Sequence, residues 1–332
     1  MLLRKLRETG PDVIFLIVLV LVLIWMGAFL HPHLPSDLSF DVKPMPLFSL
    51  LLTVAGFNPV FSVIFTFLLV LLVSFLLVNF NTSVFFISER TYLPAFIYIL
   101  LTGFFPQYQV LNPLLPAAAF LILAIRRVMD SYKIQGTAFP FFDAGMLISI
   151  GSLFYANLIW FGLLLLIGLA ILRTVSVKEI IISVIGLATP IFIFSGFFYL
   201  AGNDMNSLLS AVTYNLFIKE MNYNIPAITL VVLIISALII LIAVVHLLSV
   251  INSKKIKSRK TFILLFWTFI IAAFVAVIFK SVSAEIHYLT AIPVSYFLTH
   301  YFVFTKKKLL PEIMLAALFV LAAMVQIVNL IK

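Results

Sequence analysis

The 332-residue chain has no cysteine, which excludes disulfides, thiol nucleophiles and any Cys-ligated zinc or iron–sulfur site. Charge is nearly as scarce, at 10% of residues, and only 12 side chains are acidic. A soluble protein of this length needs far more polar surface to stay dispersed, so the solvent must be mostly lipid. Familiar catalytic signatures are also missing: there is no phosphate loop, dinucleotide fingerprint, HExxH or GxSxG. That argues against an ATP-driven pump and against a soluble-type hydrolase grafted onto the membrane. No internal repeat or low-complexity linker divides the chain.

What is abundant is apolar sequence, with 64% hydrophobic residues and 35 phenylalanines and a mean hydropathy of +1.26. The first long run, 12–30, follows MLLRKLRETG and has the outline of a signal peptide. Its exit, FLHPHLP, carries no small-x-small cleavage site, so it reads as a retained transmembrane helix. Further runs follow at 58–80, 91–105, 113–126, 143–157, 158–172, 179–200, 225–250, 261–280, 291–304 and 309–331. The expected fold is all-α: a polytopic transmembrane helix bundle of about eleven spans, within a range of about nine to twelve. PMPLFSLLLTVAGFNP, residues 44–59, is too short to span before the next run and suggests a helix lying in the interface. The runs between 91 and 157 are short and broken by Pro94, Gly103, Pro113 and Pro116. Such helices need a bundle or a cavity to cover the freed backbone groups.

A formal net charge of +9 raises nucleic acid as a partner, but the basic residues fall in short clusters between apolar runs. That distribution is a topology signal, and no nucleic-acid footprint is present. With a cytoplasmic N-terminus, seventeen of the 21 Lys and Arg residues lie on the inner side. Lys43, Lys219, Lys280 and Lys332 lie on the outer side. The run KKIKSRK, 254–260, serves as a stop signal and could also meet anionic headgroups. One transmembrane domain is expected over 1–332, with submodules 1–201 and 225–332 on either side of the polar stretch 202–224.

Ionisable residues collect on the outer face. His31, His33, Asp37, Asp41 and Lys43 belong to the first loop, and Asp204, Lys219 and Glu220 follow the seventh run. Glu285 and His287 follow the ninth. Carboxylates and histidines can exchange protons or hold a hard divalent cation, and lysine can pair with phosphate. Three sequence-distant loops at one face could therefore form one pocket, or simply be wet loops. His31 and His33 lack a third imidazole nearby, so no metal is assigned to them. His246 and His300 lie near inner helix ends, where an imidazole can reach headgroups or a carbonyl. Asp143 and Asp12 each precede an apolar run and fit helix N-caps.

Two resemblances add to this. PMPLFSLLLTVAGFNPVFSV, YLPAFIYILLTGFFP and FFDAGMLISIGSLFYANLIWFGLLLLIGLAILR look like an uncharacterised family of multi-pass inner-membrane proteins of the Bacteroidetes, over most of 44–175. This likeness implies a cell-envelope setting in the bacterial inner membrane. The layout of a first span, an acidic outer loop, an interfacial helix and short paired helices resembles the GT-C class of polyprenyl-phosphate-sugar glycosyltransferases. That likeness implies Asp37 and Asp41 as the catalytic acids. Lys43, Asp204, Lys219, Lys280, Glu285 and His287 become candidate substrate-binding residues. The adjacent acidic pair of that class is absent, and no arginine lies in an outer loop, so a lysine would hold the lipid phosphate. No cofactor motif is present beyond carboxylates able to hold a divalent cation. The partners implied are the bilayer and a polyprenyl-phosphate-linked sugar, and no protein partner is indicated. A transporter or flippase, or a non-catalytic scaffold or assembly subunit, are the alternatives.

Overall fold

A computed structural model describes residues 2–32, 43–132, 139–173, 176–218, 227–282, 284–305 and 309–331. Among them every regular element is helical. In chain order these are α1 (Leu2–Arg7), α2 (Pro11–Leu30), α3 (Pro46–Ala55), α4 (Pro59–Val84), α5 (Leu93–Thr102), α6 (Leu114–Asp130) and α7 (Phe139–Ser152). They continue as α8 (Leu163–Leu172), α9 (Val177–Leu200), α10 (Met205–Thr213), α11 (Ala227–Val250), α12 (Ile256–Ile278), α13 (His287–Phe304) and α14 (Leu309–Ile331). Six of them, α2, α4, α9, α11, α12 and α14, are long and apolar enough to cross a membrane.

Those six form a girdle around shorter helices. Each long helix keeps large apolar side chains on its outer side: Phe15 on α2, Phe75 on α4, Phe192 on α9 and Val277 on α12 are all exposed. In water such a surface would drive aggregation, and in lipid it needs no cover. The interior belongs to α5, every residue of which is buried, and α13, buried from Tyr288 to Val303 apart from Thr290. The two pack on each other, and α13 also packs against α6, α11 and α12.

Since α13 meets protein on all sides, it can carry groups that lipid would penalise, provided they are bonded. The Tyr98 hydroxyl donates to the Tyr288 carbonyl at 3.4 Å, Tyr288 to Tyr108 at 2.9 Å, and Tyr296 to Leu77 at 2.7 Å. The short, Pro- and Gly-interrupted helices are thus covered by the bundle, as their composition requires. Where α5 ends, Gln326 of α14 donates to the Gly103 carbonyl at 2.8 Å, and Gln109 reaches the Ile24 carbonyl at 3.3 Å.

The bundle has two chemically distinct ends. At the basic end, Arg7 donates to the Phe302 carbonyl, Lys260 to Leu172 at 3.5 Å, and Arg173 to Ser131 at 3.2 Å. The far end holds α3, α10 and the start of α13. There Leu47 N–H donates to the Leu153 carbonyl at 3.1 Å, tying α3 to the end of α7.

Both expected aspartate caps are corrected. α7 begins at Phe139, so Asp143 lies inside it and accepts two hydrogen bonds from Arg127, at 2.8 and 2.6 Å. At α2 the N-cap is Gly10 and Pro11 takes the first helical position. Asp12 follows and pairs with Lys5 at 3.7 Å, leaving its carboxylate near the positive end of the helix dipole without a capping bond. The polar stretch 202–224, read as a plain loop, contains α10 and a π turn at Tyr214–Ile218.

Candidate functional site

Three segments far apart in sequence meet at the far end around Asn157, which lies in the 3-10 turn Ala156–Gly162. Asn157 Nδ2 donates to the Asn215 carbonyl at 3.2 Å and to Ser281 Oγ at 3.3 Å. The Ser281 hydroxyl donates to the Leu216 carbonyl at 3.0 Å. Asn215 Nδ2 donates to the Lys43 carbonyl at 2.7 Å and to Ala211 at 2.9 Å. Thus the end of the first loop, the α10 segment and the turn after α12 are joined by neutral amides and one hydroxyl.

The π turn places Asn215 for this role. One wide turn at the end of α10 lets the side chain of Asn215 fold back to Ala211 while also reaching Lys43. Asn157, Asn215 and Ser281 are all buried. A cavity of ≈ 10 Å³ lies among them, bordered by Met45, Phe48 and Tyr155. It has room for about one water. Asn157 Oδ1 borders the same site and has no hydrogen-bond partner among the described residues, so a water there would complete it.

The residues expected from sequence fall unevenly around this knot. Asp37, Asp41 and Lys219 lie outside the described residues. Lys43 stands at its edge, with its ammonium 5.4 Å from the centre of the Tyr214 ring. Asp204 is exposed and caps α10, accepting from the Asn206 N–H at 3.0 Å. Lys280 is exposed beside Ser281, and Glu285 is fully buried in the turn Ala284–Ile286.

His287 turns away into rings. Its ring centre lies 4.3 Å from those of Phe105 and Tyr288 and 5.9 Å from Tyr108. Nδ1 lies 2.7 Å from the Ala284 carbonyl oxygen, which can only accept, so Nδ1 carries the proton. Of the charged candidates, Lys43 is joined to the knot through its own carbonyl, which accepts from Asn215. Asn157, Asn215 and Ser281 carried no sequence signal that would single them out. Among the described residues no group of three or more His, Asp or Glu could hold a metal ion.

At the basic end, His300 is fully buried among Phe262, Phe304 and His246, with ring centres 5.1, 4.9 and 6.0 Å away. Neither ring nitrogen has a hydrogen-bond partner among the described residues, so His300 does not reach headgroups or a carbonyl as its place near a helix end suggested.

Fold and site together define a multi-pass, all-α membrane protein with a buried polar junction at one end. The chain belongs to a family of unknown function, DUF6427, whose model matches residues 39–332. No curated protein and no solved structure matches it.

Proposed function

We propose that the protein is a bacterial inner-membrane protein of envelope biogenesis that handles a lipid-linked sugar at the outer face. It crosses the membrane eleven times from a cytoplasmic N-terminus, with the far end of the bundle outermost. The supporting observation is the meeting of Lys43 at the end of the first loop, the α10 segment and the turn after α12 around Asn157 and Asn215. In sequence, the loop that carries Asp37 and Asp41 ends at Lys43, whose carbonyl is fastened to Asn215, so a cation and fixed amides stand together where that loop ends.

In the GT-C-like version of this reading, Asp41 or Asp37 takes the proton of an acceptor hydroxyl, or orients a divalent cation at the phosphate. The hydroxyl oxygen attacks the anomeric carbon, the sugar–phosphate bond breaks, and polyprenyl phosphate leaves as an anion. Lys43 supplies positive charge to that anion. The decisive comparison is between wild-type protein and the double variant Asp37→Ala/Asp41→Ala, with sugar transfer from a polyprenyl-phosphate donor as readout. Loss of transfer by about a hundredfold or more, at equal protein level, is expected for removal of a general base. Unchanged transfer and unchanged envelope glycans at that protein level end the proposal.

A second reading, a non-catalytic assembly subunit, draws on one observation: the space among the three segments holds about one water, at ≈ 10 Å³. That reading gains if the double variant behaves as wild type while loosening the junction through Asn215 abolishes function.

A further inference from the structure

A groove lies at the opposite end from the polar junction. It has a volume of ≈ 860 Å³ and runs between α11, the end of α13 and the start of α14. Its lower wall is a stripe of Leu241, Ile242 and Val245 on α11, each exposed. Its upper wall is polar, with Ser253, Lys254 and Thr305. Among the described residues no carboxylate lines it.

Lys254 is held by an aromatic ring. Its ammonium sits 3.6 Å from the centre of the Phe304 ring, an attraction to the ring's negative face. Three other basic-end cations have carboxylate partners, Lys5 with Asp12, Arg127 with Asp143 and Arg173 with Glu179, while Arg7 and Lys260 donate to backbone carbonyls. Lys254 makes no ion pair among the described residues. Burial lowers its pKa from the ordinary lysine value, and an anion placed beside it would reverse that. His246 forms the inner side of the groove, 5.1 Å from the Tyr301 ring, and its Nδ1 lacks a partner among the described residues. Below Lys254 the surface is lipid-facing and apolar, while the sequence around it adds Lys255, Lys257, Arg259 and Lys260. A groove that is apolar below and cationic above, with no carboxylate among its described lining residues, fits an anion joined to hydrocarbon better than it fits a free anion.

We propose that this groove binds a negatively charged phospholipid, with its phosphate at Lys254 and its chains along Leu241, Ile242 and Val245. The site is separate from the far-end junction, so it stands whether or not the protein transfers a sugar.

The test uses purified full-length protein in detergent, titrated with dioctanoyl phosphatidylglycerol or dioctanoyl phosphatidylcholine, with bound lipid counted by native mass spectrometry. Inorganic phosphate is added as a competitor. Phosphatidylglycerol should bind about tenfold more tightly than phosphatidylcholine, as one charge-assisted contact requires. Lys254→Ala should remove that preference, and Lys255→Ala, at an exposed position outside the groove wall, should keep it. Val245→Trp, which fills the apolar wall from an exposed position, should weaken both lipids by about tenfold. Equal affinity of the wild type for the two lipids overturns the proposal, as does undiminished preference in Lys254→Ala. So does competition by inorganic phosphate at the lipid's own concentration, which would mark a site for a free anion. If Lys254→Ala fails to accumulate, Val245→Trp decides: unchanged phosphatidylglycerol binding in that variant overturns the proposal too.

Discussion

At the scale of single residues, the far end is held by amides with no charge to announce them. Asn215 gives both Nδ2 protons to carbonyls, at 2.7 Å to Lys43 and 2.9 Å to Ala211, from a buried position. Asn215→Ala removes both of these hydrogen bonds from a buried position and should cost about 1–3 kcal/mol. Thermal unfolding in detergent reads this directly. Asn203→Ala provides the contrast, because Asn203 is exposed and its bond to Phe198 is 3.3 Å long. That change should stay within about 0.5 kcal/mol. An equal shift for the two would mean that the junction does not hold the loops together.

The same residues show what was legible. The sequence marks polar stretches in an apolar chain, so the outer-loop candidates stood out, and three of those segments do converge. It could not rank them. A carboxylate that serves only to cap a helix, as Asp204 does, reads the same as a catalytic one. An asparagine becomes a junction only once three segments are brought to it.

At the scale of elements, the crossing of α7 and α9 depends on two glycines. A Cβ on Gly145 would come 2.8 Å from the Ser183 carbonyl oxygen and 2.9 Å from the Leu187 nitrogen. A Cβ on Gly186 would come 2.9 Å from Phe142 Cα. These neighbours are backbone and cannot swing aside, so the helices touch as small residues allow in membrane bundles. Gly145→Ala should therefore cost about 1–3 kcal/mol by forcing α7 and α9 apart. Gly196→Ala, on the same α9 but with nothing within 4 Å of the added Cβ, should cost nothing measurable. Comparing unfolding temperatures of the two variants tests the crossing, and equal losses would show that it is not tight.

Element by element, apolar runs reveal most helices because lipid selects the composition of the six long ones. α13 is harder to read. It is enclosed by protein, so it carries Tyr288, Tyr296, Thr299 and His300, and these dilute the hydropathy on which a span is recognised. α10 was missed for a related reason. Its sequence is mixed, and its start depends on an Asp204 cap that short polar loops also contain.

At the scale of the molecule, the status of α13 decides the topology by parity. It begins at His287 beside Phe105, at the far end, and finishes at Phe304 under Lys254, at the basic end. If it counts as a pass along with the short core helices, the total is odd and the two termini lie on opposite sides. If only the six long helices crossed, the total would be even and the termini would share a side. The absence of cysteine makes this simple to measure, since wild-type protein gives no background with a maleimide. Glu8, Asn252 and Asn329 are exposed, at the basic end, in the α11–α12 connection and near the end of α14. In intact cells, a membrane-impermeant maleimide should label Asn329→Cys and leave Glu8→Cys and Asn252→Cys unlabelled until the membrane is opened. The expected side follows from the 17 basic residues that an eleven-pass count places on the same side as the N-terminus, because positive loops stay in the cytoplasm. Labelling Glu8→Cys and Asn329→Cys from the same side would sink the odd count, and with it the placement of the Lys43–Asn215 junction on the outer face. Labelling them from opposite sides, with Glu8→Cys the accessible one, would keep the eleven passes and invert them, moving the proposed lipid groove at Lys254 to the outer leaflet.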